Sequence, residues 1–197
     1  MSDKREALQA AMTERDIPML EALHARQPNQ ALASKLHLYG QFVGSWHLEI
    51  DFHPLAGSTR RAEGEWHFSW VLDGRAIQDV WIFPARRLRG GEKPAEPWHM
   101  YGSTFRWYDP AIDAWHITWL DPTRPAELRQ IGRAVGADIV QTGEDHNGLL
   151  SRWRFVEITD RSFRWLGELS WDKGSTWALI MEMRARRVDE RSAAGPG

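Results

Sequence analysis

The stretch from Gly64 to Pro84, GEWHFSWVLDGRAIQDVWIFP, leaves the chain few options. Trp66, Phe68, Trp70 and Leu72 alternate with Glu65, His67, Ser69 and Val71. That period of two marks a strand with one buried face. Asp73-Gly74 supplies a two-residue turn that accepts positive φ at both positions, and residues 75–83 return as a second strand. Pairing Leu72 with Arg75 sets Trp70 opposite Ile77, Phe68 opposite Asp79 and Trp66 opposite Trp81. One face of this hairpin is then aromatic and aliphatic, with a single carboxylate, Asp79, set in it.

The same pattern recurs from Phe42 to Arg187. Trp46, Leu48, Ile50 and Phe52 alternate with polar residues, and further strands are expected over 98–107, 114–120, 128–134, 139–143, 149–158, 162–171 and 176–187. Short turns join most of them, which implies antiparallel up-and-down order. So many strands leave two exposed edges unless the sheet closes. The expected fold is mainly β: an antiparallel up-and-down barrel of about ten strands over residues 41–188, wide enough to enclose a small ligand. An open sandwich is the alternative. Residues 85–97, ARRLRGGEKPAEP, form a polar connection long enough to act as a gate or simply as a mobile loop.

Before the barrel, Ala7, Leu8, Ala11 and Met12 recur at helical spacing, and a second short helix is expected over 30–39 and ended by Gly40. Residues 1–40 therefore read as a helical N-terminal extension or lid, too short for a core of its own. Residues 189–197 read as a disordered tail.

Composition narrows the function classes. A net charge of -2 offers no basic surplus for a phosphate backbone, so no nucleic-acid partner is expected. With no cysteine, disulfides, thiolate chemistry and Cys-based zinc sites are excluded. No apolar run approaches the roughly 20 residues of a membrane-spanning helix, and the charged start MSDKREALQAAMTERD lacks a signal-peptide core; the expectation is a cytoplasmic protein with no membrane partner. The eight histidines form no ligand motif, a lone haem-ligating histidine has poor support, and neither a glycine-rich phosphate loop nor a Gly-x-Ser-x-Gly elbow occurs. No metal and no cofactor are expected.

Gly44-Ser45-Trp46 follows the second helix, at the start of the first barrel strand, and Arg186-Arg187 ends the last. This resembles the lipocalin and fatty-acid-binding superfamily, the calycins, in which a Gly-x-Trp on the first strand packs against an arginine from the end of the barrel. A guanidinium over an indole face would close the barrel bottom. The Leu72-Asp73-Gly74-Arg75 hairpin, Tyr108-Asp109-Pro110 turn and Gly174-Ser175-Thr176-Trp177 segment also resemble an uncharacterised bacterial branch of lipocalin-like barrels. That branch implies no agreed activity. The resemblance covers residues 36–187, and the helical extension departs from it.

Strand pairing sorts the faces. Setting Trp107 opposite Trp115 places Phe105 opposite Ile117 and Ser103 opposite Trp119, with Arg106 and His116 outside. His99, Tyr101, Ser103, Phe105 and Trp119 then face the lumen. Arg129 and Arg133 point out, leaving Gln130 and Gln141 inside. Arg152 and Arg154 point out, leaving Trp153 and Phe155 inside, joined by Leu166, Glu168, Leu179 and Met181.

Three functions follow. The first is binding of a small, largely apolar or aromatic molecule by Trp66, Phe68, Trp70, Trp81, Ser103, Phe105, Trp119, Gln130, Gln141, Trp153 and Met181. The second is a cofactor-independent isomerase, dehydratase or cyclase, with Asp79 or Glu168 as base, His99 as acid and Tyr101 steadying an oxyanion. Set against it, each carboxylate could be a structural hydrogen-bond anchor and His99 a satisfied inner histidine. The third is a self-association module, a homodimer joined through Leu8, Met12, Leu20 and Leu23.

Overall fold

The computed structural model describes residues 17–55, 57–89, 99–124, 126–145 and 147–189. A short helix α1 (Pro18–Leu23) leads into a two-residue strand β1 (His24–Ala25), and a 3₁₀ turn (Gln30–Leu32) leads into helix α2 (Ala33–Gly40). Ten strands follow: β2 (Gly44–Phe52), β3 (Arg60–Val71), β4 (Ala76–Phe83), β5 (Met100–Asp109), β6 (Ala114–Asp121), β7 (Ala126–Val135), β8 (Asp138–Glu144), β9 (Leu150–Val156), β10 (Ser162–Ser170) and β11 (Ala178–Arg187). Each is antiparallel to its neighbour, β11 pairs with β2, and the ring of ten closes without an edge. Only β1 is extra, added to the end of β3 where β2 has stopped.

The central hairpin has the register its sequence dictates. Trp66 lies opposite Trp81, Phe68 opposite Asp79 and Trp70 opposite Ile77. Asp73 (φ 57°) and Gly74 (φ 68°) form the tight turn, and the Arg75 amide donates to the Leu72 carbonyl at 3.1 Å.

One end of the barrel is closed by α2. Leu36 and Tyr39 on this helix, and Phe42 just after it, are fully buried in the core. Phe42 stacks on Phe155 at 4.7 Å between ring centroids and meets Phe163 edge-on at 4.8 Å. Lys35 ties the helix to the β5–β6 turn through Asp113, at 2.6 Å. Leu36 and Tyr39 thus join the barrel core. The helix expected from the spacing of Ala7, Leu8, Ala11 and Met12 lies outside the described residues, as does 190–197; Leu20 is exposed and Leu23 half-buried.

The same end carries the Trp46–Arg187 lock. The Arg187 guanidinium sits 4.1 Å over the Trp46 ring. It donates to the carbonyls of Gln41 (2.7 Å), Val43 (2.8 Å) and Asp160 (2.7 Å). Trp46 Nε1 donates to the Phe42 carbonyl at 2.7 Å. Gly44 has φ 124°, and a Cβ there would come within 2.8 Å of the Arg187 Nη1, so only glycine suits both the backbone and the guanidinium.

A lysine at 187 keeps the charge but cannot span three carbonyls and lie flat on an indole. Arg187→Lys is expected to lower stability by about 2 kcal/mol or more, read as a lower urea midpoint at unchanged m-value.

Candidate functional site

Inside the barrel the rings of Trp66, Trp81, Trp119, Trp153 and Trp165, from β3, β4, β6, β9 and β10, form a closed girdle. Successive centroids lie 5.6, 5.2, 6.2 and 5.3 Å apart, and the circuit closes from Trp165 to Trp66 at 6.5 Å. Trp81 and Trp165 also meet at 5.6 Å, so rings fill the lumen at this level. Gly102 makes room for one of them: its missing Cβ would lie 2.2 Å from the Trp119 ring.

Between the girdle and α2 lies an ion pair. Arg106 Nη1 donates to Asp79 Oδ2, and both side chains are fully buried. The guanidinium is wrapped by aromatic rings: Tyr39 at 5.3 Å, Phe68 at 5.6 Å and Phe155 at 5.9 Å. The Tyr39 hydroxyl donates to Gln141 Oε1 at 3.1 Å. Burial raises the Tyr39 pKa, against the pull of the nearby Arg106 charge, so the hydroxyl stays a neutral donor.

On the other side of the girdle, away from α2, the barrel has a mouth. The inward-facing Phe52, Leu128, Trp153 and Met181 are only partly buried there, packed against the core. Phe52 rests on Phe83 at 5.1 Å. Gln130 sits just below Leu128 and donates to Ser151 Oγ at 3.0 Å. Asp121 is inward at the end of β6; it accepts from Thr123 and pairs with Arg124 Nε at 3.2 Å.

The expected binding residues divide by this geometry. Trp66, Trp81, Trp119 and Trp153 make the girdle, while Gln130 and Met181 line the mouth. Phe68 and Gln141 lie inside but below the girdle. Trp70 lies under α2, where a Cβ on Gly40 would strike its ring at 2.4 Å. Residues 90–97 of the expected gate are outside the described residues; Arg86–Leu88 form a 3₁₀ turn held to Glu65 by Arg86.

Four of the expected site residues lie on the outer face instead. Tyr101, Ser103 and Phe105 are on the outer face of β5, with Tyr101 43% exposed. The true register sets Tyr108, not Trp107, opposite Trp115, and Arg106 opposite Ile117. One extra residue of pairing inverts the strand. Trp107 is outside, stacked on His116 at 4.2 Å, and Arg106 takes the inner place that its size and charge had denied it. A signal for this existed: Asp79 on an apolar face needs a counter-ion, and only the Thr104–Arg106 phase of β5 supplies one.

The fourth is Glu168, on the outer face of β10 opposite Arg152. Trp165 and Gly167 hold the inner phase instead. Arg152 Nε and Arg154 Nε reach the carboxylate at 2.8 and 2.9 Å. Burial raises the Glu168 pKa, but the two arginines more than reverse this, leaving it below the ordinary 4.5. His99 is half-buried just ahead of β5, its carbonyl accepting from Thr123. Asp79, His99, Tyr101 and Glu168 therefore do not share a site. Among the described residues no group of three or more histidine or acidic side chains could hold a metal ion, and no helix is long and apolar enough to cross a membrane.

Ten antiparallel strands in a closed ring, a Gly-x-Trp on the first and an arginine from the last laid over that tryptophan decide the fold. It is a lipocalin-like barrel. Among solved structures, the S-type phycobiliprotein lyase from Guillardia theta is similar over 78% of this chain and 92% of that one, with a TM-score of 0.51 and 14% sequence identity. No protein-family model matches the sequence, and no curated protein matches it. The likeness to the lyase extends to the lipocalin-like fold alone.

Two measurements test this site. Asp79→Asn leaves Arg106 charged without its counter-ion, and is expected to cost about 3–5 kcal/mol; replacing the pair together, Asp79→Leu with Arg106→Met, should recover most of that loss. The depressed pKa of Glu168 means its contribution is present above about 4.5 and lost as pH falls through the folded-state value. Glu168→Gln should therefore melt below wild type at pH 7, and the gap in Tm should narrow as the pH falls below about 4.5.

Proposed function

We propose that the barrel binds a small, largely apolar or aromatic molecule at the mouth opposite α2. One observation carries this reading: Phe52, Leu128 and Met181 face inward yet stay only partly buried beside the tryptophan girdle, whose Trp153 is itself partly buried. Most other inward apolar side chains of the barrel are buried against one another. A concave apolar surface with a few polar groups at its edge is the usual make-up of a ligand site. Here Gln130, Ser151 and Asp121 supply the polar groups.

An acid–base reaction draws no support from the geometry. Asp79 is bound to Arg106 behind the girdle, Glu168 is bound to two arginines outside, and Tyr101 faces solvent. The similarity to a phycobiliprotein lyase is one of fold, and the binding reading rests on the mouth itself.

A thermal-shift screen of neutral and charged apolar compounds is expected to find ligands that raise Tm and quench tryptophan emission through Trp153. Met181→Glu sets a carboxylate in the mouth at a partly exposed position, so the fold should survive while affinity falls roughly 10-fold or more. A screen in which no apolar compound raises Tm, or equal affinity in Met181→Glu, would remove the reading.

A further inference from the structure

A recess of about 540 Å³ opens at the α2 end of the barrel, opposite the mouth, between residues 25–31 and the β3–β4 turn. That volume falls within the roughly 300–1,000 Å³ of small-molecule sites. Its two walls are held together. The Asn29 amide donates to the Gly74 carbonyl at 3.0 Å, and the Asn29 side chain donates to Asp73 Oδ2 at 3.3 Å. The turn packs so closely that a Cβ on Gly74 would lie 2.2 Å from the Gln27 carbonyl oxygen. The recess is therefore a fixed feature of the fold, and a ligand entering it has little backbone to order.

Its lining has a distinct chemistry. Arg26 and Arg75 line it together with one carboxylate, Asp73, so one positive charge is in surplus. Asp73 reaches Arg75 only at 3.6 Å, and Arg26 makes no ion pair among the described residues. The side-chain amides of Gln27 and Gln30 also line the recess and make no hydrogen bond among the described residues. Among the described residues no aromatic ring lines it, so an aryl group or nucleobase finds nothing to stack on, in contrast to the lumen. Guanidinium forks suit the oxygens of a phosphate or carboxylate. A carboxylate and free amides suit hydroxyl groups, which both donate and accept.

We propose that this recess is a second ligand site, which takes a small polyhydroxylated anion of the sugar phosphate or sugar acid class. The anionic group meets Arg26 and Arg75, and the hydroxyls meet Asp73, Gln27 and Gln30. The site lies at the opposite end of the barrel from the mouth and does not depend on it.

Four probes titrated into the full chain, followed by backbone amide chemical shifts, separate the contributions: glucose 6-phosphate, glucuronate, glucose and inorganic phosphate. At least one of the two sugar anions is expected to shift residues 25–31 and 73–75, with a Kd roughly 10-fold or more below that of glucose and roughly 3-fold or more below that of inorganic phosphate. The tighter of the two sugar anions identifies the head group. Arg26 and Arg75 are exposed, so Arg26→Gln and Arg75→Gln should keep the wild-type Tm. Each should weaken the sugar anion roughly 5-fold or more and leave glucose within about twofold. Glucose binding as tightly as the sugar anions overturns the inference, since charge would then select nothing. Inorganic phosphate binding as tightly overturns it too, because the hydroxyls would then add nothing to a surface that holds any anion. Shifts confined to other residues, or wild-type affinity in either variant, also overturn it, as does binding of neither sugar anion. None of these outcomes bears on the mouth, which the apolar screen tests separately.

Discussion

The Asp79–Arg106 pair is the constraint around which the interior is arranged. Two opposite charges, both fully buried, cannot be separated or left single without a cost that would exceed many of the packing gains around them. Their contact sets β4 and β5 in one register, because Asp79 and Arg106 must both face inward. Tyr39, Phe68 and Phe155 then crowd the guanidinium and exclude water from it. Gln141 Oε1 accepts from Arg106 Nε at 3.5 Å and from the Tyr39 hydroxyl at 3.1 Å. A pair buried so completely adds little to stability relative to an apolar replacement; what it enforces is a single arrangement of strands.

Around that pair the barrel has two unlike ends. At one, α2, Phe42 and the Trp46–Arg187 lock close the bottom with aromatic contacts and three carbonyl-to-guanidinium bonds. At the other, the inward side chains thin out and become partly exposed. The tryptophan girdle divides the two, serving as core from below and as floor from above. Outside, arginines and carboxylates form a second layer of pairs: Glu168 with Arg152 and Arg154, Asp51 with Arg61 and Arg184, Glu182 with Arg164 and Arg184. These stitch neighbouring strands across the solvent face. They also explain why Glu168 and Asp51, nearly buried, lie outside.

How much could be read beforehand varied with the turn. The Trp66–Trp81 hairpin was legible because Asp73-Gly74 allows one tight turn, and the turn fixes the register of everything beyond it. Gln130 and Gln141 were legible because the alternating arginines around them needed water. The β5–β6 connection has four residues between Asp109 and Ala114, and nothing in Pro110 to Asp113 chooses between adjacent registers. Apolar content then pointed to the wrong face, since β5 carries Phe105 and Trp107 outside and Arg106 within. On β10, Leu166 and Trp165 are both apolar, and only the pairing of Glu168 with Arg152 decides between them.

The amino-acid sequence by itself determined a closed antiparallel barrel with a helix ahead of it, since period-two alternation and short turns are local properties and unpaired edges are costly wherever they fall. It determined the inner phase of β2, β3, β4 and β6 by the same means. Only the tertiary structure decided that Arg106 is inside and Glu168 outside, because burial of a charge depends on a partner 27 residues away for one and 14–16 for the other. It alone decided that five separate tryptophans meet in one girdle, since closure of the sheet, and no local pattern, brings β3, β4, β6, β9 and β10 around a common axis.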